Sequence, residues 1–345
     1  MITRIILFIV TALTFSIPAS AQMLVSNFKS DNGLWGYVNI RGEVIIPATY
    51  SAAKPFGTNG IALVRDKKTK EYFYIDIKGN PIKLNHNPSN YKNFYNDRAI
   101  VINIDGDHGA INSSGELVID YSYEKMDHFN SDRTFAIDKQ DNIVLLDIDG
   151  NSIDISQHNI TDYNSFQEGM AGVKIGELWG FIDTDGNLVV KPQFLKVGKF
   201  SAGLAWIRDK NEQIGYINKQ GEMVIEPAYL QGQNFDEISG RARVKSSEGW
   251  FYINSKGEKL LTNADHFYDF SDGYLRADDI DAPGVFGYKD KDGEWVIKPQ
   301  YEACSDFYNG YARIRVNKLW GLIDKENKII LEPKYVRLED FELVE

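Results

Sequence analysis

Leu178-Trp179-Gly180-Phe181-Ile182-Asp183-Thr184-Asp185-Gly186-Asn187-Leu188-Val189-Val190-Lys191-Pro192-Gln193-Phe194 carries the pattern on which the rest of the chain is built. Two short apolar runs, Phe181-Ile182 and Leu188-Val189-Val190, flank Asp183-Thr184-Asp185-Gly186 and read as two strands joined by a tight turn. The Asp side chain can accept hydrogen bonds from the turn amides, and the glycine can take the left-handed conformation of a type I turn followed by a bulge. Pro192 ends the second run because it cannot donate to a continuing ladder, and the aromatic Phe194 follows.

Working outward, the turn recurs at Gly42, Gly79, Gly115, Gly150, Gly186, Gly221, Gly257 and Gly293, with Asn327 in the ninth slot. Three residues before each stands Asn39, Asp76, Asn112, Asp147, Asp183, Asn218, Asn254, Asp290 or Asp324. A period of about 36 residues across the chain marks tandem repeats rather than a pair of globular domains. Each unit has a Phe about 14 residues past its glycine: Phe56, Phe94, Phe129, Phe166, Phe200, Phe235, Phe270, Phe307 and Phe341. A third strand follows around a small residue, as in Ala205-Trp206-Ile207 and Ala312-Arg313-Ile314. No window shows a helical period with caps. The expected fold is all-β: about nine three-stranded units in an open β-solenoid or superhelix, with a closed β-propeller as the alternative.

Seven residues before the turn position come Trp35, Tyr72, His108, Ile143, Trp179, Ile214, Trp250, Phe286 and Trp320, and the next residue is Gly in six of the nine units. Leu34-Trp35-Gly36-Tyr37-Val38-Asn39, Leu178-Trp179-Gly180-Phe181-Ile182-Asp183 and Leu319-Trp320-Gly321-Leu322-Ile323-Asp324 resemble the WG-containing repeats of bacterial proteins. The resemblance implies a β-rich repeat module, often exported, with no general activity and no catalytic residues to carry over. Units two, three, four and seven lack either the Trp-Gly pair or the proline and are expected to be distorted.

The chain has 345 residues, 38 Lys+Arg against 49 Asp+Glu, 43% hydrophobic residues and one cysteine. That composition suits a folded protein and excludes a disulfide framework. A formal charge of −11 without a basic cluster argues against nucleic acid as a partner. Arg4, the apolar run Ile5 to Ile17, Pro18 and Ala19-Ser20-Ala21 read as a signal peptide over residues 1–21, leaving a repeat domain over residues 22–345. The run is too short to span a bilayer, and no cysteine follows it for lipid attachment. The expected location is periplasmic or extracellular.

No catalytic, cofactor or metal residues are assigned. Asp147-Ile148-Asp149-Gly150, Asp183-Thr184-Asp185-Gly186 and Asp290-Lys291-Asp292-Gly293 resemble pieces of calcium loops, but each falls on the turn that every unit has. The five His are scattered singly, and Cys304 has no neighbouring His to activate it. Trp35, Trp179, Trp250 and Trp320, with Asn39, Asp183 and Asp324, are read as structural repeat positions, the tryptophans as a core ladder rather than sugar platforms. Trp206 and Trp295 fall outside that slot and are the candidate surface anchors. The expected function is an exported, non-enzymatic scaffold binding a protein or glycan. A secreted carbohydrate-active enzyme and a purely structural envelope protein are the alternatives.

Overall fold

The computed structural model describes residues 23–260, 268–278 and 283–344. The expected signal peptide lies outside the described residues. The nine turns form as their sequence predicts. In each, the Asx Oδ1 accepts amide hydrogen bonds two and four residues on, as Asp183 does from Asp185 and Asn187 at 3.0 and 2.9 Å. Gly186 sits at φ +81° and Asn327 at φ +62°, the left-handed region that Gly, and after it Asn and Asp, enter most cheaply.

The sheets differ from expectation by one strand. Unit six runs Lys196–Val197, Leu204–Arg208, Ile214–Asn218 and Met223–Tyr229, all antiparallel neighbours in that order. The added first strand is the two-residue piece before the recurrent Phe, too short to leave a period-2 signal in sequence. Unit five is built alike from Ile160–Tyr163, Met170–Ile175, Leu178–Asp183 and Leu188–Phe194. Units three and four share the long strand Leu117–Met126, which no proline interrupts; it is the last strand of one unit and the first of the next, so the two units form one seven-stranded sheet.

The two ends of the chain meet. Met23–Lys29 is the second strand of the first sheet, and its first-strand partners come from the far end: Arg337–Leu338 pairs at Phe28↔Leu338, and Glu342–Val344 at Met23↔Val344. Phe28 and Val38 share one buried cluster with Leu322, Leu331, Leu338 and Phe341. Of the two arrangements weighed on the sequence, the units therefore close into a ring rather than an open superhelix. Closure completes the first sheet with the last strands of the chain, so that Met23–Lys29 is not left as a free edge.

Each junction between units is filled by aromatics. Tyr37, Tyr74, Tyr216, Tyr252 and Tyr288, two residues past the Trp slot, are almost wholly buried. Each meets the recurrent Phe past its own turn, which the fold places at the start of the following unit, as in Tyr37–Phe56 at 4.5 Å and Tyr288–Phe307 at 4.6 Å between ring centroids. Each hydroxyl donates to a backbone carbonyl in or beside that unit's first strand, for example Tyr74 to Lys92 O at 2.6 Å and Tyr216 to Gln233 O at 2.8 Å. A large apolar body with one satisfied polar tip thus ties unit to unit.

Candidate interaction surface

The glycine after the Trp slot decides how each sheet ends. A Cβ at Gly36, Gly109, Gly180, Gly215, Gly287 or Gly321 would lie 2.2–2.6 Å from the carbonyl oxygen of Ile46, Ile119, Val190, Ile225, Ile297 or Leu331 respectively. The fourth strand bulges across the third at this point: Phe181 pairs with Val190 but Trp179 with Phe194. All six glycine-bearing units keep a fourth strand of at least seven residues: Val44–Tyr50, Leu117–Met126, Leu188–Phe194, Met223–Tyr229, Trp295–Tyr301 and Ile329–Tyr335. Unit three does so without a proline, so the glycine, not the proline, is what the crossing requires.

Units two and four carry Phe73 and Val144 in the glycine slot. Unit two retains one bridge, Ile75↔Pro81, and unit four only Ser152–Ile153. Unit seven, with Phe251, shows Lys259–Leu260 before the described residues break off. Where the second half of the strand would lie, a groove of about 760 Å³ opens in unit four and one of about 440 Å³ in unit two. The unit-four groove is lined by Ile143 in the Trp slot, Val144 in the Gly slot, and Ile153, Ile155 and Ile160, with Asp138, Asp141 and Asp154 around it. Asp138 is held below the usual carboxylate range by hydrogen bonds from Asn142, and Asp154 by those from Ser156. Both are therefore anionic at neutral pH.

A second polar feature runs through the junctions after units seven, eight and nine. Arg243, Arg276 and Arg313 occupy the same second-strand position, opposite Tyr252, Tyr288 and Leu322. They reach Asp269, Asp306 and Asp340 at 2.9, 3.1 and 2.8 Å. Arg276 also donates to Cys304 O and Arg313 to Leu338 O, each at 2.9 Å. Burial pushes the Asp306 and Asp340 carboxyls up, against the pull of their arginines. The same position holds Leu63, Ile100 and Phe135 in units two to four.

The predicted residues fall as follows. Trp35, Trp179 and Trp320 are half-buried and pack against core clusters rather than forming their centre. That differs from the expected core ladder: the fully buried row is the tyrosines two residues further on, a signal present in the sequence at Tyr37, Tyr74, Tyr216, Tyr252 and Tyr288. Cations cover the exposed indole faces: Lys29 and Arg337 at Trp35, Arg243 and Lys245 at Trp250, Arg313 and Arg315 at Trp320, all within 6 Å of the ring. Trp206 lies against Gly198, where a Cβ would come 2.2 Å from its Nε1, and packs on the junction after unit six. Trp295 is half-buried beneath Lys289, 4.7 Å from its ring.

Asn39, Asp183 and Asp324 serve their turns. The calcium-like carboxylates of Asp147 and Asp183 are committed likewise, Oδ1 to two amides and Oδ2 to the side-chain amides of Asn151 and Asn187. Among the described residues no three His, Cys, Asp or Glu side chains gather as a metal site. Cys304 is buried, its thiol pushed up to about 11. No helix among the described residues is long and apolar enough to cross a membrane. His266 lies outside them.

Among solved structures, a eukaryotic initiation factor is similar at a TM-score of 0.53 and 13% identity, over 94% of this chain and 98% of that one. BamB from Moraxella catarrhalis is similar at a TM-score of 0.39 and 13% identity, over 81% of this chain and 94% of its own. At these identities the first likeness speaks to fold alone. No curated protein matches the sequence. The profile of the WG containing repeat matches residues 35–68, 109–142, 155–179, 179–212, 214–249, 286–320 and 320–342. With Trp-Gly, Asx turn and crossing strand recurring around the ring, and more than half of the sequence under that profile, the chain belongs to the family of WG containing repeat proteins.

Proposed function

We propose that the protein is an exported, non-enzymatic scaffold that holds a protein partner on the surface of its ring. The supporting observation is the groove in unit four, where an apolar floor and an unpaired strand edge stand open beside carboxylates; unit two has a smaller and more polar groove at the same place. The repeat positions richest in chemistry are already engaged: the Asx side chains in turns, the arginines in junctions, and the indole faces of Trp35, Trp250 and Trp320 under cations. A sugar ring stacks on an open aromatic face, so covered tryptophans favour protein over glycan. Export rests on the basic start, apolar run and small residues of 1–21.

The test uses the mature chain as bait on an envelope fraction, beside a glycan array. Recovery of one saturable protein partner is the expected result; binding to sugars alone would overturn the reading. N-terminal sequencing of the protein expressed in cells should begin near Gln22 with the protein outside the cytoplasm; recovery in the cytoplasmic fraction with Met1 retained would remove the case for export.

A further inference from the structure

The unit-four groove has a known occupant elsewhere in the same molecule. In unit five the corresponding space is filled by Lys191-Pro192-Gln193-Phe194, with Phe194 paired opposite Trp179. In units one, six, eight and nine it is filled by the segments ending at Tyr50, Tyr229, Tyr301 and Tyr335; Tyr50 is opposite Trp35 and Tyr335 opposite Trp320. Five copies of the unit therefore show what this place accepts: an extended segment with an aromatic beside the third strand's Trp-slot residue. Unit four has the receiving strand, Ile143–Asp147, without the segment.

The backbone is prepared for such a guest. Leu145 pairs with Ile153, and antiparallel ladders alternate, so Ile143, two residues on, turns its N–H and C=O toward the groove. Ile143 pairs with Ile137 on its other side and has no fourth-strand partner. Val144 forbids the bulged crossing made over Gly180, but not a straight strand laid along the edge, since a regular ladder tolerates any β-branched residue. That is why the chain's own segment turns away into the single-turn 3-10 helix Ser156–His158 while the edge stays open.

Resting on the reading of the protein as a partner-binding scaffold, we infer that unit four takes an extended peptide segment of that partner, added as a strand beside Ile143. The segment places an aromatic side chain among Ile143, Ile153, Ile155 and Ile160 and a flanking Lys or Arg near Asp138, Asp141 and Asp154. Main-chain hydrogen bonds hold the segment, the apolar pocket selects the aromatic, and the carboxylates select the basic neighbour.

A phage-displayed library of random dodecapeptides, selected on the whole mature chain, tests this. Wild type should enrich peptides that pair an aromatic with a Lys or Arg. Thr161→Arg, at an exposed position on the groove wall, should weaken their binding at least about tenfold. Asp141→Asn should weaken it a few-fold and flatten its salt dependence. Both positions are solvent-facing, so far-UV circular dichroism and the melting temperature should stay at wild-type values. No enrichment, enriched peptides lacking that pairing, or binding indifferent to Thr161→Arg would each overturn the inference. If the envelope partner still binds Thr161→Arg as it binds wild type, the scaffold reading survives and this site does not.

Discussion

Units four and five adjoin in sequence and share the same turn, yet end differently. Both carry an Asp-x-Asp-Gly-Asn turn with the same hydrogen bonds, Asp147 to Asn151 and Asp183 to Asn187. Unit five then runs a seven-residue fourth strand over Gly180, while unit four stops at two residues beside Val144. The turn chemistry is thus sufficient for the hairpin corner but not for the strand after it. What the longer strand needs is a place where its backbone can approach the third strand within the radius of a methyl group.

The largest effect that would break this contrast is Gly180→Val. The new Cβ would meet Val190 O at 2.2 Å, so the strand must leave or the sheet must open. A loss of about 3 kcal/mol is expected in urea unfolding, with amide exchange accelerating over residues 188–194. Unchanged protection there would mean that the glycine does not control the crossing. Trp179→Ala comes next: a half-buried indole facing Phe194 should cost about 2 kcal/mol, less than a fully buried aromatic. A loss near that of a core phenylalanine would put the tryptophans back in the core.

Asp183→Ala, which strips two amide hydrogen bonds from a solvent-facing turn, should cost about 1 kcal/mol, and Asp147→Ala about the same. Equal losses would confirm that the two corners are alike; a much smaller one in unit four would show that its turn matters less once the strand is gone.

The smallest effect concerns pH and contrasts the turns with the arginine junctions. Asp76, Asp138 and Asp147 are held below the usual carboxylate range, so the folded state binds fewer protons than the unfolded. Their contribution is present above pH 4 and is lost as pH falls through their folded values. Asp306 and Asp340 are raised, so the folded state binds more protons just above pH 4, and their contribution falls as pH climbs through their folded values. Because both side chains are partly exposed, Asp306→Asn should flatten that decline by only a few tenths of a kcal/mol between pH 4 and 7. Urea midpoints across that range check the sign; a steeper decline in the variant would reverse the assignment.

Much of this was legible in residue identities. Asn39 through Asp324 marked nine corners because an Asx-x-x-Gly turn is decided within five residues. The Trp-Gly pairs announced a close approach, though not that a carbonyl oxygen would make it. The tyrosine row was equally readable and is the true centre of the junctions after units one, two, six, seven and eight. The grooves were only half readable: Phe73 and Val144 stood out as departures, but an absent strand becomes a cavity only when its neighbours are in place.

Local sequence by itself determined the turns, the strands beside them and the β-repeat class, since each depends on contacts a few residues apart. Tertiary structure alone decided that Met23–Lys29 would pair with Arg337–Leu338 and Glu342–Val344, that Arg276 would reach Asp306, and that unit four would be left open. Ring closure depends on the summed rotation of all the units, and a groove on what fails to fill it, so neither is a property of any single stretch of chain.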